Sequence, residues 1–437
     1  MPVTLVRNIA QIATALGGQG VRGRDLRRLS VLHGAVVVIR EGRFGYLGPE
    51  NGIPSELRAA IQEDVDAEAG TLLPGFVDSH THLPFAGSRE TEFNRRLQGE
   101  SYSEIASAGG GILSSVQATR AVTEQDLVSV MRARTLRMAE YGTTTAEAKS
   151  GYGLRLEDEI KQLRAIRSAA PTSAVRLVPT CLAAHEFPAD SRASASLREE
   201  YVRQIIAEIL PAVARERLAK FCDVFVEDGV FTRAQGERIL RAGQTHGLKS
   251  RIHADELSDT GGADLAVSLD AASADHLMYV SKEGIRRLAS SDTVANLLPA
   301  TSFFLMSERY APARALIDAG AIVSLSTDCN PGSSMTESMQ IVLQLACLKM
   351  KMTVEEALTA ATINGAYSLG LSEQVGSIEQ GKRADFFILD APNYLHLVYH
   401  FGVNLISSVY RDGERVWNRS RSLELLRRNS AEPEPIA

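Results

Sequence analysis

Cysteine is scarce in this chain, and the four present, Cys181, Cys222, Cys329 and Cys347, form no Cys-x-x-Cys pair. That spacing offers neither a disulfide framework nor a zinc knuckle, and a reducing compartment is the expected setting. Long apolar stretches are missing too, as is a basic start running into a hydrophobic segment. Neither a membrane span nor a secretory leader is therefore expected, and the reading is cytoplasmic. An excess of positive charge is the third absence. Forty-seven Lys and Arg stand against 53 Asp and Glu, for a net charge of −6. Phosphate backbones need clustered cations, so a nucleic-acid surface is not expected.

What is present is an ordinary globular balance, with 44% hydrophobic and 23% charged residues over 437 positions. That length suits one large domain with a smaller companion. Near the start, Gly34-Ala35-Val36-Val37-Val38-Ile39 and Arg43-Phe44-Gly45-Tyr46-Leu47 flank Glu41-Gly42 and read as a hairpin. So few strands cannot stand alone, and partners are expected elsewhere in the chain.

From Leu73 the texture changes. Apolar runs at 73–78, 143–148, 175–182, 221–226, 248–253, 271–276, 293–298 and 321–327 alternate with helix-like stretches at 124–141, 157–169, 197–218, 232–246, 283–288 and 311–319. Strand alternating with helix through eight units predicts an α/β fold, a closed parallel (β/α)8 TIM-like barrel with its site at the strand ends. Two more helices are expected at 334–351 and 354–367. Beyond them Gly381-Lys382-Arg383-Ala384-Asp385 leads into Phe386-Phe387-Ile388-Leu389-Asp390, and β-like pieces follow at 407–410 and 414–417. These are the expected partners of the N-terminal hairpin, making a small β-sandwich from both chain ends. The expected division is 1–72, 73–373 for the barrel, and 374–437 including a frayed tail at 431–437.

The chemistry gathers at the ends of those runs. In the extended stretch Asp78-Ser79-His80-Thr81-His82, residues two apart share a face, so His80 and His82 aim at one point. His185, His253, His276 and Asp328 each close another run. Imidazole and carboxylate ligands with one open position suit an ion that lowers the pKa of bound water toward neutrality, making a nucleophile for a carbonyl carbon. His80, His82, His253 and Asp328 supply that set. Glu256, three residues past His253, is placed to turn back toward the same mouth. His276 is a fifth ligand or, as favoured here, holds the water by a hydrogen bond. The run 221–226 carries no lysine near its end to bridge two ions, and Glu227 is a weaker bridging candidate, so one metal ion is expected. Three imidazoles and a carboxylate suit Zn2+ and Fe3+ alike.

The Pro74-Gly75-Phe76-Val77-Asp78-Ser79-His80-Thr81-His82 start, the late Asp328 and the Gly-Lys-Arg-Ala-Asp strand together resemble the amidohydrolase superfamily over nearly the whole chain. Within it the chain is similar to the imidazolonepropionase family. The stretches that carry this are Phe85-Ala86-Gly87-Ser88-Arg89, Ala108-Gly109-Gly110-Gly111-Ile112, Lys149-Ser150-Gly151-Tyr152-Gly153-Leu154, Ala184-His185-Glu186, His253-Ala254-Asp255-Glu256 and Thr327-Asp328-Cys329-Asn330-Pro331-Gly332-Ser333-Ser334.

The resemblance implies a hydrolase of histidine degradation acting on 4-imidazolone-5-propanoate, a small anionic cyclic amide. Arg89 would then hold the carboxylate, Tyr152 would hydrogen-bond the ligand, and His185 would polarise the ring carbonyl or its oxyanion. Asn330, Gly332 and Ser333 would complete the pocket. Glu256 would hold a ring N–H and help protonate the leaving nitrogen, with Asp328 or His276 managing the proton of the attacking hydroxide. Two other readings stand beside this one: an aminohydrolase of a purine such as guanine on the same scaffold, and a binding protein that has lost catalysis. The oligomeric state stays open, with a homodimer among the compatible arrangements.

Overall fold

The computed structural model describes residues 2–100, 104 and 110–419. Ala108 and Gly109 of the glycine motif, and the tail at 431–437, lie outside the described residues. Eight parallel strands form the central sheet, each bonded to the next in chain order: Phe76–Asp78, Thr143–Lys149, Arg176–Ala184, Phe221–Val226, Lys249–Ala254, Ser273–His276, Val294–Leu297 and Val323–Leu325. All seven residues of Thr143–Lys149 are buried. The threonines at its start have the β-branched shape that favours this extended, enclosed setting.

The barrel closes just beyond the ends of its first and last strands. There Thr81 bridges Cys329, the His82 N–H donates to the Cys329 carbonyl at 3.0 Å, and the Asp328 N–H donates to the His80 carbonyl at 3.1 Å. Asp78 reinforces the seam by accepting from the Thr327 N–H at 3.0 Å and the Thr327 hydroxyl at 2.6 Å. The backbone contact that shuts the barrel thus sets His80, His82 and Asp328 side by side.

Helices cover the outside, and their starts are legible locally. Thr123 with Asp126, Thr232 with Gln235 and Thr353 with Glu356 each form a reciprocal cap at a helix N-terminus. Three expectations are corrected. The helix expected at 197–218 contains a wide turn at Ile205–Ile209 between Ala195–Gln204 and Leu210–Glu216. Pro211 has no N–H to donate one turn back and its ring crowds that carbonyl, so the coil widens there. The helix expected from 334 starts only at Met339, capped by Ser338, because the preceding residues form the loop after Asp328. The run 354–367 breaks at Thr362, letting Asn364 Nδ2 donate to the carbonyls of Val21 and Val323.

Both chain ends build two further sheets. One orders Arg43–Pro49, Ala35–Arg40, Val3–Arg7 and Ile61–Asp66. The other orders Glu414–Asn418, Ile406–Arg411, Phe386–Leu389, Thr71–Pro74, Gln11–Thr14 and Ser30–Leu32. The apolar run at 73–78 is therefore two strands, its first half pairing with Phe386–Leu389 and its second entering the barrel. The hairpin turns at Glu41-Gly42 as expected, but it meets the C-terminal strands chiefly across the sandwich. Val37, Ile39 and Phe44 pack on Phe386, Ile388 and Tyr410. Asp385, buried, ties this unit to the barrel by accepting from Arg176 at 2.5 Å and the Asp412 N–H at 2.7 Å.

Replacing Asp78 by Ala removes the acceptor of both the N–H and the hydroxyl of Thr327 at the closure and is expected to cost about 2–3 kcal/mol. Urea unfolding would show this as a lowered midpoint; an unchanged midpoint would mean that the seam is held elsewhere.

Candidate metal centre and active site

The Nε2 atoms of His80, His82 and His253 face one another at the top of the lumen. Ligand atoms of His80, His82 and His253 lie within 4.8 Å of each other, as do those of His80, His276 and Asp328. Asp328 Oδ1 stands 3.5 Å from His80 Nε2 and 3.3 Å from His82 Nε2, and His253 Nε2 is 3.5 Å from His82 Nε2. All four side chains are almost completely shielded from solvent.

Their orientation is fixed from below. His80 Nδ1–H donates to Asp275 at 2.9 Å, and His253 Nδ1–H donates to Asp223 at 3.1 Å. Each bond occupies Nδ1 and leaves Nε2 facing the site. The two carboxylates belong to a fully buried ionic layer in the barrel interior. Lys149 Nζ lies 2.6 Å from Asp223, 2.8 Å from Glu147 and 3.8 Å from Asp275. Arg251 lies 3.1 Å from Glu147 and 3.6 Å from Asp275, and it donates to the Ser79 carbonyl at 2.7 Å. Burial alone would raise Asp223, but His253 and Lys149 hold it well below the usual carboxylate range. Two cations face three carboxylates, so the layer is net negative beneath the histidines.

These residues fit a metal ion on two observations. His80 Nε2 is buried and has no hydrogen-bond partner within the protein. Burial and the Lys149 ammonium oppose a proton on His80, yet Asp275 and Asp328 outweigh them and push its pKa up to about 9. The pocket draws positive charge to this point, as a cation site should.

The other expected residues line the same cavity, of about 480 Å³. Glu256 Oε2 stands 3.5 Å from His276 Nε2. Burial, with the charges of Asp328 and Glu227, pushes Glu256 up to about 8, while burial pulls His276 down to about 3. Arg89 is gripped by Glu92 at 2.7 Å, and its other terminal nitrogen lies against Gly332, where a Cβ would come within 2.1 Å of it. Only glycine permits that approach. Tyr152 is buried between Phe85, His82 and His185.

Three of the expected residues have protein partners that the sequence does not show. His185 stacks on His82 and gives its Nδ1–H to the Gly151 carbonyl at 3.0 Å. Burial pulls the His185 pKa down to about 3, so the ring is neutral and Nε2 is an acceptor. In this arrangement Nε2 faces the cavity as an acceptor that can receive a ring N–H. Asn330 spends its amide on the Asp328 carbonyl and Ser333 hydroxyl, and its oxygen on the N–H groups of Gly332 and Ser333. It shapes the loop and also lines the cavity. Glu227 accepts from the N–H groups of Leu257 and Ser258, so it braces the loop after Glu256 instead of bridging ions.

Sequence reasoning missed Asp223, Asp275, Lys149, Glu147 and Arg251, and also Thr301, whose hydroxyl donates to Asp328 Oδ2 at 2.7 Å and leaves Oδ1 to the site. The available signal was charge at two-residue spacing inside barrel strands, as in Glu147 and Lys149 or Arg251 and His253.

The sequence profile of the amidohydrolase family matches residues 71–223 and 227–416. An imidazolonepropionase of Myxococcus xanthus is 49% identical over 399 residues, 91% of this chain and 93% of its own length. One of Clostridium tetani is 43% identical over 416 residues, 95% and 98% of the two chains. Among solved structures, a zinc-bound adenosine deaminase from Xanthomonas campestris superposes with a TM-score of 0.69 over 98% of this chain and 97% of its own, at 18% identity, a likeness of fold.

Replacing Asp275 by Ala should weaken metal affinity 10- to 100-fold, as removal of a ligand-orienting carboxylate does. Competition against a chelating dye measures this; unaltered affinity would show that Asp275 plays no part in aiming His80.

Proposed function

The chain belongs to the amidohydrolase family and, within it, to the imidazolonepropionases, and from this membership we infer its reaction. It hydrolyses the ring C–N amide bond of 4-imidazolone-5-propanoate to N-formimidoyl-L-glutamate, the third step of L-histidine degradation. The observation that carries the reading is one cavity that brings together a three-imidazole, one-carboxylate cluster and the Arg89 guanidinium.

His80, His82, His253 and Asp328 would hold one ion, Zn2+ or Fe3+, since borderline metals of either kind accept this donor set. When bound, the ion supplies Lewis acidity and an activated water. The remaining work falls to the chain's own side chains. Arg89, pinned by Glu92 and lying on Gly332, offers its remaining N–H groups to the propanoate carboxylate. His185 accepts a ring N–H at Nε2, and Tyr152 closes the wall beside it. Asp328 or His276 manages the proton of the attacking water. Glu256, kept protonated at neutral pH by burial and its acidic neighbours, donates to the ring nitrogen as the C–N bond breaks. The 3.5 Å between His276 and Glu256 gives that proton a short return path. Two acid–base groups with pKa values driven apart by their surroundings are what such a transfer needs.

A neutral purine would leave the Arg89 N–H groups that Glu92 does not take without a partner in the pocket, so the anionic substrate is preferred over guanine. The four cysteines are all free thiols, in keeping with a cytoplasmic setting. Among the described residues no helix is long and apolar enough to cross a membrane.

Metal-loaded protein is expected to abolish the ring absorbance of imidazolone propanoate and to release no ammonia from guanine. Glu256→Gln should keep its metal while turnover falls about 100-fold or more, whereas His80→Ala should lose the metal. Loss of metal from Glu256→Gln would reverse these assignments.

A further inference from the structure

The loop Ser150-Gly151-Tyr152-Gly153-Leu154 carries one wall of the pocket, yet it has no regular secondary structure to hold it. Its backbone is instead clasped by two side chains of the helix that follows, Leu156–Ala169. Glu159 accepts the N–H groups of Gly151 at 3.1 Å, Gly153 at 2.8 Å and Leu154 at 2.8 Å. Gln162 accepts the Tyr152 N–H at 3.1 Å. Four successive N–H groups are thus satisfied by two residues, both fully buried. The other end of Gln162 donates to the Pro84 carbonyl at 2.6 Å, tying this loop to the segment that leads to Arg89.

The clasp matters for what the loop presents. Gly151 sits at φ +112°, a conformation that L side chains rarely adopt, and a Cβ there would meet His185 Nδ1 at 2.9 Å. In this posture the Gly151 carbonyl receives the His185 N–H, which leaves His185 Nε2 as a hydrogen-bond acceptor toward the cavity. Tyr152, one residue on, packs edge-on against both His82 and His185. Turning the Gly151 peptide would free His185 to swap its proton between nitrogens and would carry Tyr152 away from the wall.

We propose that Glu159 and Gln162 are positioning residues for substrate recognition: they lock the Gly151–Leu154 backbone so that His185 offers an acceptor to the ring N–H and Tyr152 stays beside it. Neither touches the reacting atoms. A buried carboxylate that accepts three backbone N–H groups fixes a loop far more firmly than water would, because those donors have no other partner available. Correct placement of binding groups is expressed in substrate affinity, while the metal ligands and Glu256, carried on other strands, remain in place. The proposal rests on the ring-opening activity inferred above.

The test compares Gln162→Leu and Glu159→Gln with the parent, all metal-loaded, by steady-state kinetics on imidazolone propanoate, metal analysis and thermal unfolding. The expected result is KM raised about tenfold or more in each folded variant, with kcat within about threefold and one ion retained. Unchanged KM in the folded variants would overturn the clasp while leaving the activity intact. A fall in kcat with loss of metal, or failure of both variants to fold, would also overturn it by showing that the pair acts only as core. Absence of turnover in the parent would instead overturn the functional reading, with the variants having no part in that outcome.

Discussion

The buried ionic layer of Lys149, Arg251, Glu147, Asp223 and Asp275 is the constraint on which the rest of the site depends. Removing one member of such a group leaves an uncompensated charge in a dry interior, at a cost of about 3–5 kcal/mol. A barrel built for stability alone would fill this space with aliphatic side chains. Here the strands supply carboxylates directly under the imidazoles, at 2.9 Å for His80 and 3.1 Å for His253, and cations behind the carboxylates. The layer holds Asp223 and Asp275 ionised, and they in turn fix which nitrogen of each histidine faces upward. Orientation of the ligand set is thereby decided two contacts away from the ligands themselves.

The second constraint is topological. His80 and His82 follow the first barrel strand and Asp328 the last, separated by almost the whole barrel in sequence. They become neighbours because closure pairs their backbones, through His80 with Asp328 and His82 with Cys329. Shutting the barrel and assembling the site are one event. His253 and His276 arrive from strands across the lumen, and Glu256 from the loop that Glu227 braces. The fold supplies a convergent rim, and residues of the loops at 84–89, 150–154 and 328–334 line the cavity above it.

Much of this was legible in the sequence because it rests on local geometry. The two-residue spacing of His80 and His82 reads directly as one face of an extended chain, and the eight alternating units read as a barrel whose strand ends converge. The turn at Glu41-Gly42 is likewise a short-range signal. What escaped depends on distant partners. The 143–148 run reads as an apolar strand until Glu147, and Lys149 just beyond it, are seen to meet the same buried partners. The proton position on His185 follows from a carbonyl 34 residues away, and nothing near His185 announces it. Asn330 reads as a pocket group because its motif lies beside Asp328, and its hydrogen bonds to Gly332 and Ser333, which shape that loop, are not visible in the sequence. Pro211 and the break at Thr362 interrupt helices that periodicity alone makes continuous.

Crystals of the metal-loaded protein, measured at the absorption edge of the bound element, would settle the arrangement most directly. The account requires a single anomalous peak per chain at about 2.0–2.2 Å from Nε2 of His80, His82 and His253 and from one oxygen of Asp328, with His276 outside the coordination shell. Two peaks, or an ion bound by His276 in place of His253, would contradict it.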